Sequence, residues 1–228
     1  MPSKPAMHVR IPRLVAAIAC AASCACVTIP RTGAVHLAPT PDSSWTDEVN
    51  AATRRTQPYA HLTVREADLR ATLITPRLRK AFLDHRSEFH GGFAREMAQD
   101  LVQMGSADEG VDAPAKSRPD AEEQVLVFVA IYATDQKERD LAARNSIWDT
   151  KLVRDGAAVK PIKIETLKLS PAVNEVFPFV DRFDEVYLLR FPLVDAQGHS
   201  FLTAGGAPLR LEIKSAEADA VVEWQLTD

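Results

Sequence analysis

The stretch QVLVFVAIY, residues 124–132, is nearly all apolar and rich in β-branched and aromatic side chains. Such a run fits a strand buried on both faces, which obliges the rest of the chain to cover it from two sides. Extended segments follow it. SIWDTKLVRDGAAVKPIKIETLKL places Asp155-Gly156, a strong hairpin-turn dipeptide, between two extended runs. EVYLLRFPL is another apolar strand, and PLRLEIK alternates Leu209, Leu211 and Ile213 against Arg210, Glu212 and Lys214. The last segment, VVEWQL, sets Val222, Trp224 and Leu226 on one face and Glu223 and Gln225 on the other. Thr134 is placed to cap a short charged turn, DQKERDL, and Ser170-Pro171 to start a helical turn.

Upstream, YAHLTVREADLRATLI at 59–74 is mixed and strand-like, and it ends at Thr75-Pro76, an N-cap followed by proline at the first helical position. A helix is expected from there. Leu78, Phe82, His85 and Phe89 share one face until Gly91-Gly92 stops or kinks it, and Phe93, Met97, Leu101 and Met104 repeat the pattern. Residues 106–124 read as a polar loop containing Pro114 and Pro119.

The expected fold class is therefore α+β, mainly an antiparallel β-sandwich of immunoglobulin-like kind preceded by one or two amphipathic helices. The globular domain is expected over 59–228, with its helical part at about 76–104 and the sandwich at about 124–227. With 228 residues, 46% of them apolar, the chain is large enough for one domain or two small ones.

All three cysteines fall within residues 20–26. A basic stretch without an acid, MPSKPAMHVRIPR, and an apolar stretch from Leu14 to Ser23, which contains Cys20, together read as a secretory signal peptide over 1–23. An apolar run of about ten residues is too short to cross a hydrocarbon core that needs about 20. Ala21, Ala22 and Ser23 ahead of Cys24 resemble the lipobox of bacterial lipoproteins, and the resemblance implies that the Cys24 thiol receives a diacylglycerol and becomes the new N-terminus. Cleavage before Cys20 leaves an apolar core of only six residues, Leu14 to Ala19. Cleavage before Cys26 puts polar Ser23 where an aliphatic residue is favoured. A zinc clip at C-x3-C-x-C lacks the usual paired spacing and a nearby histidine. Residues 24–58, with Pro30, Pro39, Pro41 and Pro58, read as the lipidated N-terminus and a flexible tether, in which Ser44 with Asp47 and Glu48 could cap a short helix through Thr53.

The segment from Asp184 to Leu226, with its YLLRFP strand and terminal VEWQL, is similar to lipoproteins of Gram-negative bacteria whose function is unassigned. That resemblance supports a sandwich and carries over no catalytic or binding residue. Ala25 after the acylated cysteine resembles outer-membrane lipoproteins, so the expected location is the outer membrane, facing the periplasm, after export across the inner membrane.

Motifs that could carry chemistry are incomplete in this chain. GHSFL at 198–202 approaches a serine-hydrolase elbow but has Leu202 where G-x-S-x-G needs glycine, so Ser200 reads as part of a hairpin loop. In HRSEFH, His85 and Glu88 stand three apart and share a helical face, whereas His90 lies five from His85 and turns away. His61 and His199 have no ligand partner visible in sequence. The acids Asp108, Glu109, Asp112, Asp120, Glu122 and Glu123 lack calcium-loop order, with Lys116 and Arg118 among them. No catalytic, cofactor-binding or metal-binding residue is assigned, and no cofactor is expected. Without Lys4, Arg10 and Arg13 the chain keeps 24 bases against 31 acids, a net charge of −7, which disfavours nucleic acid. The expected partners are the membrane, through covalent lipid at Cys24, and an envelope protein.

Cys24→Ala is expected to release the protein from washed membranes, because two acyl chains hold a protein almost irreversibly at about 0.8 kcal/mol per buried CH2. A variant that stays membrane-bound, beside a wild type that takes up no labelled fatty acid, contradicts the assignment.

Overall fold

The structure, a computed structural model, describes residues 29–39, 44–57, 59–60, 64–65, 67–90, 92–103, 124–133, 140–216 and 218–228. The cysteine cluster, His61, Met104, the acids from Asp108 to Glu123 and the turn beginning at Thr134 lie outside the described residues.

Twelve strands are described: β1 (Ala34–His36), β2 (Thr53–Thr56), β3 (Tyr59–Ala60), β4 (Val64–Arg65), β5 (Ala67–Ile74), β6 (Gln124–Ala133), β7 (Asp149–Arg154), β8 (Ala157–Val159), β9 (Lys163–Leu167), β10 (Glu185–Pro192), β11 (Leu209–Lys214) and β12 (Asp219–Thr227). Four α-helices accompany them: α1 (Trp45–Ala52), α2 (Pro76–Asp84), α3 (Gly92–Gln103) and α4 (Pro171–Val176). The first five-stranded sheet runs in the order β1-β12-β11-β7-β8 and the second in the order β2-β5-β6-β10-β9, while β3 and β4 form a small hairpin. Every pairing is antiparallel except β1 beside β12. The protein is thus mixed α/β with strand predominating.

The run at 124–132 is the central strand β6, fully buried from Val125 to Ile131. Its two faces have different cover. Phe128 stacks on Phe177 at the end of α4, with ring centroids 3.7 Å apart, and Phe82 of α2 meets Phe177 edge-on at 6.3 Å. Registers place Thr72 of β5 and Leu188 of β10 opposite Phe128, so that face of the second sheet carries the helices. The other face presents Val127 and Val129 beside Leu73, Ala71, Leu189 and Tyr187. The first sheet buries only one face: Leu209, Leu211, Ile213, Val222, Trp224 and Leu226 are buried, and their alternating neighbours are partly exposed.

Local chemistry explains the element starts. Thr75 Oγ1 accepts a hydrogen bond from the Leu78 amide at 3.1 Å, and Ser170 Oγ one from the Val173 amide at 3.4 Å, each with proline at the next position. Asp155 and Gly156 take φ values of 49° and 83°, the positive pair that a two-residue hairpin turn of this hand requires. Ser44 does precede α1, but its hydroxyl bonds Thr46 Oγ1 at 2.7 Å instead of capping an amide.

Three expectations need correction. The helix from Pro76 ends at Asp84, well before Gly91, because the chain turns through a short 3-10 segment (Arg86–Glu88) that tucks Phe89 against Trp45 and Phe82. The extended run after Asp155-Gly156 is two strands in different sheets: β8 pairs with β7, the chain crosses at Lys160-Pro161-Ile162, and β9 pairs with β10. Pro161 has no amide to donate to a ladder, which suits a crossing point.

The third correction concerns the tether expected over 24–58. Residues 30–37 form a strap between the sheets. The Arg55 amide donates to the Pro30 carbonyl at 2.9 Å, while the Glu223 and Gln225 amides donate to the Arg31 and Gly33 carbonyls at 3.2 and 2.8 Å. Arg54, 2% exposed, donates from its guanidinium to the Ala34 carbonyl at 3.0 Å and to the Ala51 and Thr53 carbonyls at 2.7 Å each. A Cβ on Gly33 would stand 3.1 Å from that guanidinium, so close passage of the strap favours glycine there. Trp224 Nε1 donates to the Ala52 carbonyl at 2.7 Å, tying β12 to the end of α1.

Trp224→Ala should cost about 3 to 5 kcal/mol, since it removes a fully buried ring and also leaves the Ala52 carbonyl without its donor. Glu223→Ala, on the partly exposed face, should cost less than about 0.5 kcal/mol. Chemical denaturation of both variants reads the contrast, and equal losses would contradict the assigned facing of β12.

Candidate functional site

Among the described residues, a larger and a smaller concave region lie at different places on this frame. The larger is a groove of about 960 Å3 over the helix-bearing face of the second sheet, where β9 is the outermost strand. One wall is α3, through Met97 and Leu101; the others are Leu188 of β10, β9 itself, and Pro171 and Val173 at the start of α4. The Ser170 cap fixes α4's first turn against the end of β9. The exposed lining is mainly apolar; its acids are Glu96, Asp100, Glu165 and Glu175, and the last two are bonded within the protein. Glu165 accepts from Arg190 Nε at 3.0 Å and from Lys163 Nζ. Burial works to raise its carboxyl, but the bonds from Lys163 and Arg190 outweigh that and hold it below its ordinary value. Glu175 accepts from the His90 amide at 2.5 Å and lies 3.2 Å from the His90 ring.

A smaller cleft, about 500 Å3, lies at the far end of β7 against the loop 195–206. Its floor depends on Arg154, 6% exposed, whose guanidinium donates to the carbonyls of Phe201 at 2.7 Å, Ala207 at 3.1 Å and Gly205. Burial lowers the Arg154 pKa, partly offset by Asp155. Sequence reading passed over Arg154, although the alternation Thr150, Leu152, Arg154 put it on the inward face of its strand.

GHSFL belongs to this cleft. The Val194–Ser200 bridge closes a turn in which Gly198 has φ of 86°, and Asp195 Oδ1 accepts from the amides of Gln197 and His199 at 2.8 Å each. The His199 ring stands 3.2 Å from Asp195 Oδ2, while Ser200 Oγ accepts from the Leu202 amide at 3.2 Å. Serine, histidine and aspartate are therefore neighbours, yet His199 is bonded to Asp195 and not to Ser200. A nucleophile needs its base within hydrogen-bonding reach. The loop reading of Ser200 fits this geometry.

His85 and Glu88 do meet, with Nδ1 2.7 Å from the carboxylate, but His90 turns away to Glu175. Among the described residues no group of three His, Cys, Asp or Glu side chains is placed to hold a metal ion. No described helix is long and apolar enough to cross a membrane. Compared with models of known protein families, with characterised proteins and with solved structures, the chain matches none.

Burial works to raise the Asp195 carboxyl, yet the His199 and Gln197 amides and the His199 ring together hold it below the ordinary 3.8. A depressed carboxyl stabilises its loop above the unfolded-state value and loses that contribution as pH falls through the folded-state one. The acid-limb transition seen in the Gln197 and His199 amide shifts should therefore have its midpoint below 3.8. Asp195→Asn should abolish that transition. A transition centred above 3.8 in the wild type would contradict the geometry.

Proposed function

We propose that this chain is a lipid-anchored protein of the cell envelope, exported across the inner membrane and held by Cys24 on the periplasmic side of the outer membrane, and that its body is an accessory interaction module. The observation that carries the reading is the pairing of an outer strand with an apolar groove: β9 ends the second sheet, and the groove opens beside it. An extended segment of a partner can add to such an edge through backbone hydrogen bonds while alternate side chains fill the neighbouring hollow. Two of the four acids on the lining, Glu165 and Glu175, are bonded within the protein, and the exposed lining is mainly apolar, which favours apolar contact at this place.

An immunoglobulin-like relationship of the two sheets belongs to the same proposal. Its support is the antiparallel pairing and the repeated crossing of the chain between sheets, at β8 to β9 and at β10 to β11. The helix layer over one sheet is a departure from that pattern.

A second reading, a binding domain for a small apolar ligand, is favoured by one observation: about 960 Å3 lies within the range of ligand pockets, roughly 300 to 1,000 Å3. Photo-crosslinking in intact cells separates the two. A photoreactive residue at Met97 or Thr166 should trap one envelope protein, the same from both positions, whereas one at Arg210 on the first sheet's outer face should not. Met97→Arg should remove the adduct from position 166 without lowering the unfolding midpoint. Absence of any adduct, together with a small apolar molecule retained on purification, would replace the first reading with the second.

A further inference from the structure

The strap fixes where the chain leaves the body on its way to the lipid. It runs parallel to β12, with Ala34 beside Gln225 and the Arg31 carbonyl on the Glu223 amide, and Arg31 Nε donates to the Val221 carbonyl at 3.1 Å. The chain therefore departs from Pro30 at the beginning of β12. In the first sheet this is also the end of β11 and the beginning of β7, since Lys214 pairs with both Asp219 and Asp149. In the second sheet, Pro30 is bonded to Arg55 near the end of β2. That is the end at which β5 begins, β6 finishes and β10 begins, through the pairs Thr56–Leu69, Ala67–Ala133 and Glu185–Ile131.

Two of the large apolar side chains that the structure leaves exposed stand at this same end. Ile147, 48% exposed, lies two residues before β7, and Phe183, 55% exposed, lies two residues before β10. The Arg182 guanidinium sits 4.5 Å from the Phe183 ring centroid. An exposed aromatic under a cationic group suits the interfacial zone of a bilayer, where ring and charge each find their preferred surroundings.

We infer that this end of the body rests on the membrane that holds the lipid. The inference depends on acylation of Cys24. Six Cα steps separate Cys24 from Pro30, and fully extended chain gains at most ~3.3–3.6 Å per residue, so the anchor point lies within about 20 Å of the strap. Part of that span is taken up by the headgroup layer. A body held so closely by its β12-start end turns Phe183 and Ile147 toward the headgroups. The cleft at Arg154 and His199 is carried to the opposite end, beyond a β12 of nine residues that spans about 30 Å. Strand β9 lies along the flank, where its outer edge stays open to a partner.

The test uses the full acylated protein in phosphatidylethanolamine–phosphatidylglycerol vesicles, with Cys26→Ser removing the remaining mature thiol. A fluorophore is attached through Phe183→Cys, Ile147→Cys or His199→Cys, and quenching is read from a lipid carrying a headgroup nitroxide. Labels at 183 and 147 should be quenched several-fold more than the label at 199. Equal quenching at the two ends, or stronger quenching at 199, overturns the inference. Mass analysis of the same samples separates the two failures: diacylglyceryl on Cys24 with equal quenching removes the docking alone, whereas an unmodified Cys24 removes the anchor and the docking with it.

Discussion

The hydrogen bonds that hold residues 30–37 between β2 and β12 are the constraint on which the rest of the molecule depends. The strap takes amides from the outer strand of the second sheet and from a strand of the first, so neither sheet leaves those donors open. Arg54 completes the junction from inside. Its guanidinium spends its bonds on the Ala34, Ala51 and Thr53 carbonyls, and burial pushes it down to about 10, still cationic at neutral pH. A buried cation that bonds backbone carbonyls is costly to leave unpaired, so strap, α1 and β2 hold their positions together. The tryptophan of β12 adds its own bond to the end of α1.

The two sheets have different surroundings, and that difference creates the groove. The first sheet is covered on one face, and its outer face carries Arg210, Glu212 and Lys214 in a chain of ion pairs. The second is covered on both, with helices set on it through the Phe128, Phe177 and Phe82 rings. Arg70 braces that layer: its Nη2 donates to both Asp184 carboxylate oxygens at 2.6 and 2.7 Å, and its Nη1 donates to the Phe179 carbonyl. Toward β9 that cover leaves an apolar hollow, lined by residues of α3, α4, β9 and β10. The proposed partner contact follows from this asymmetry, whereas the proposed orientation on the membrane follows from where the strap leaves the body.

Local signals in the sequence were enough for elements whose pattern is strong. The apolar run of β6, the Asp155-Gly156 turn, the Thr75-Pro76 and Ser170-Pro171 starts and the alternation of β11 and β12 are all legible from period and turn chemistry. The strap was not, because its pairing joins residues about as distant as the chain permits: Arg31 and Val221 are 190 positions apart. The segment that receives it, Thr53-Arg54-Arg55-Thr56, is polar and only four residues long, so nothing in its composition announces a buried strand. The boundary between β8 and β9 was hidden in one extended run, with Pro161 as the only mark. Of the clefts, the Ser200 loop was legible as a loop, and Arg154 was readable from its phase. The groove was not, since it is assembled from α3, α4, β9 and β10, which no single stretch of sequence contains.

The most direct test of the account is amide hydrogen exchange at Arg55, Glu223 and Gln225, whose N–H groups are bonded to the strap carbonyls of Pro30, Arg31 and Gly33. If the strap is part of the folded body, these amides exchange only through openings nearly as costly as global unfolding, with protection close to that of Val127 and Val129 in β6. Exchange at the rate of freely exposed amides, beside full protection in β6, would show that the N-terminal segment is a loose tether and would contradict the account.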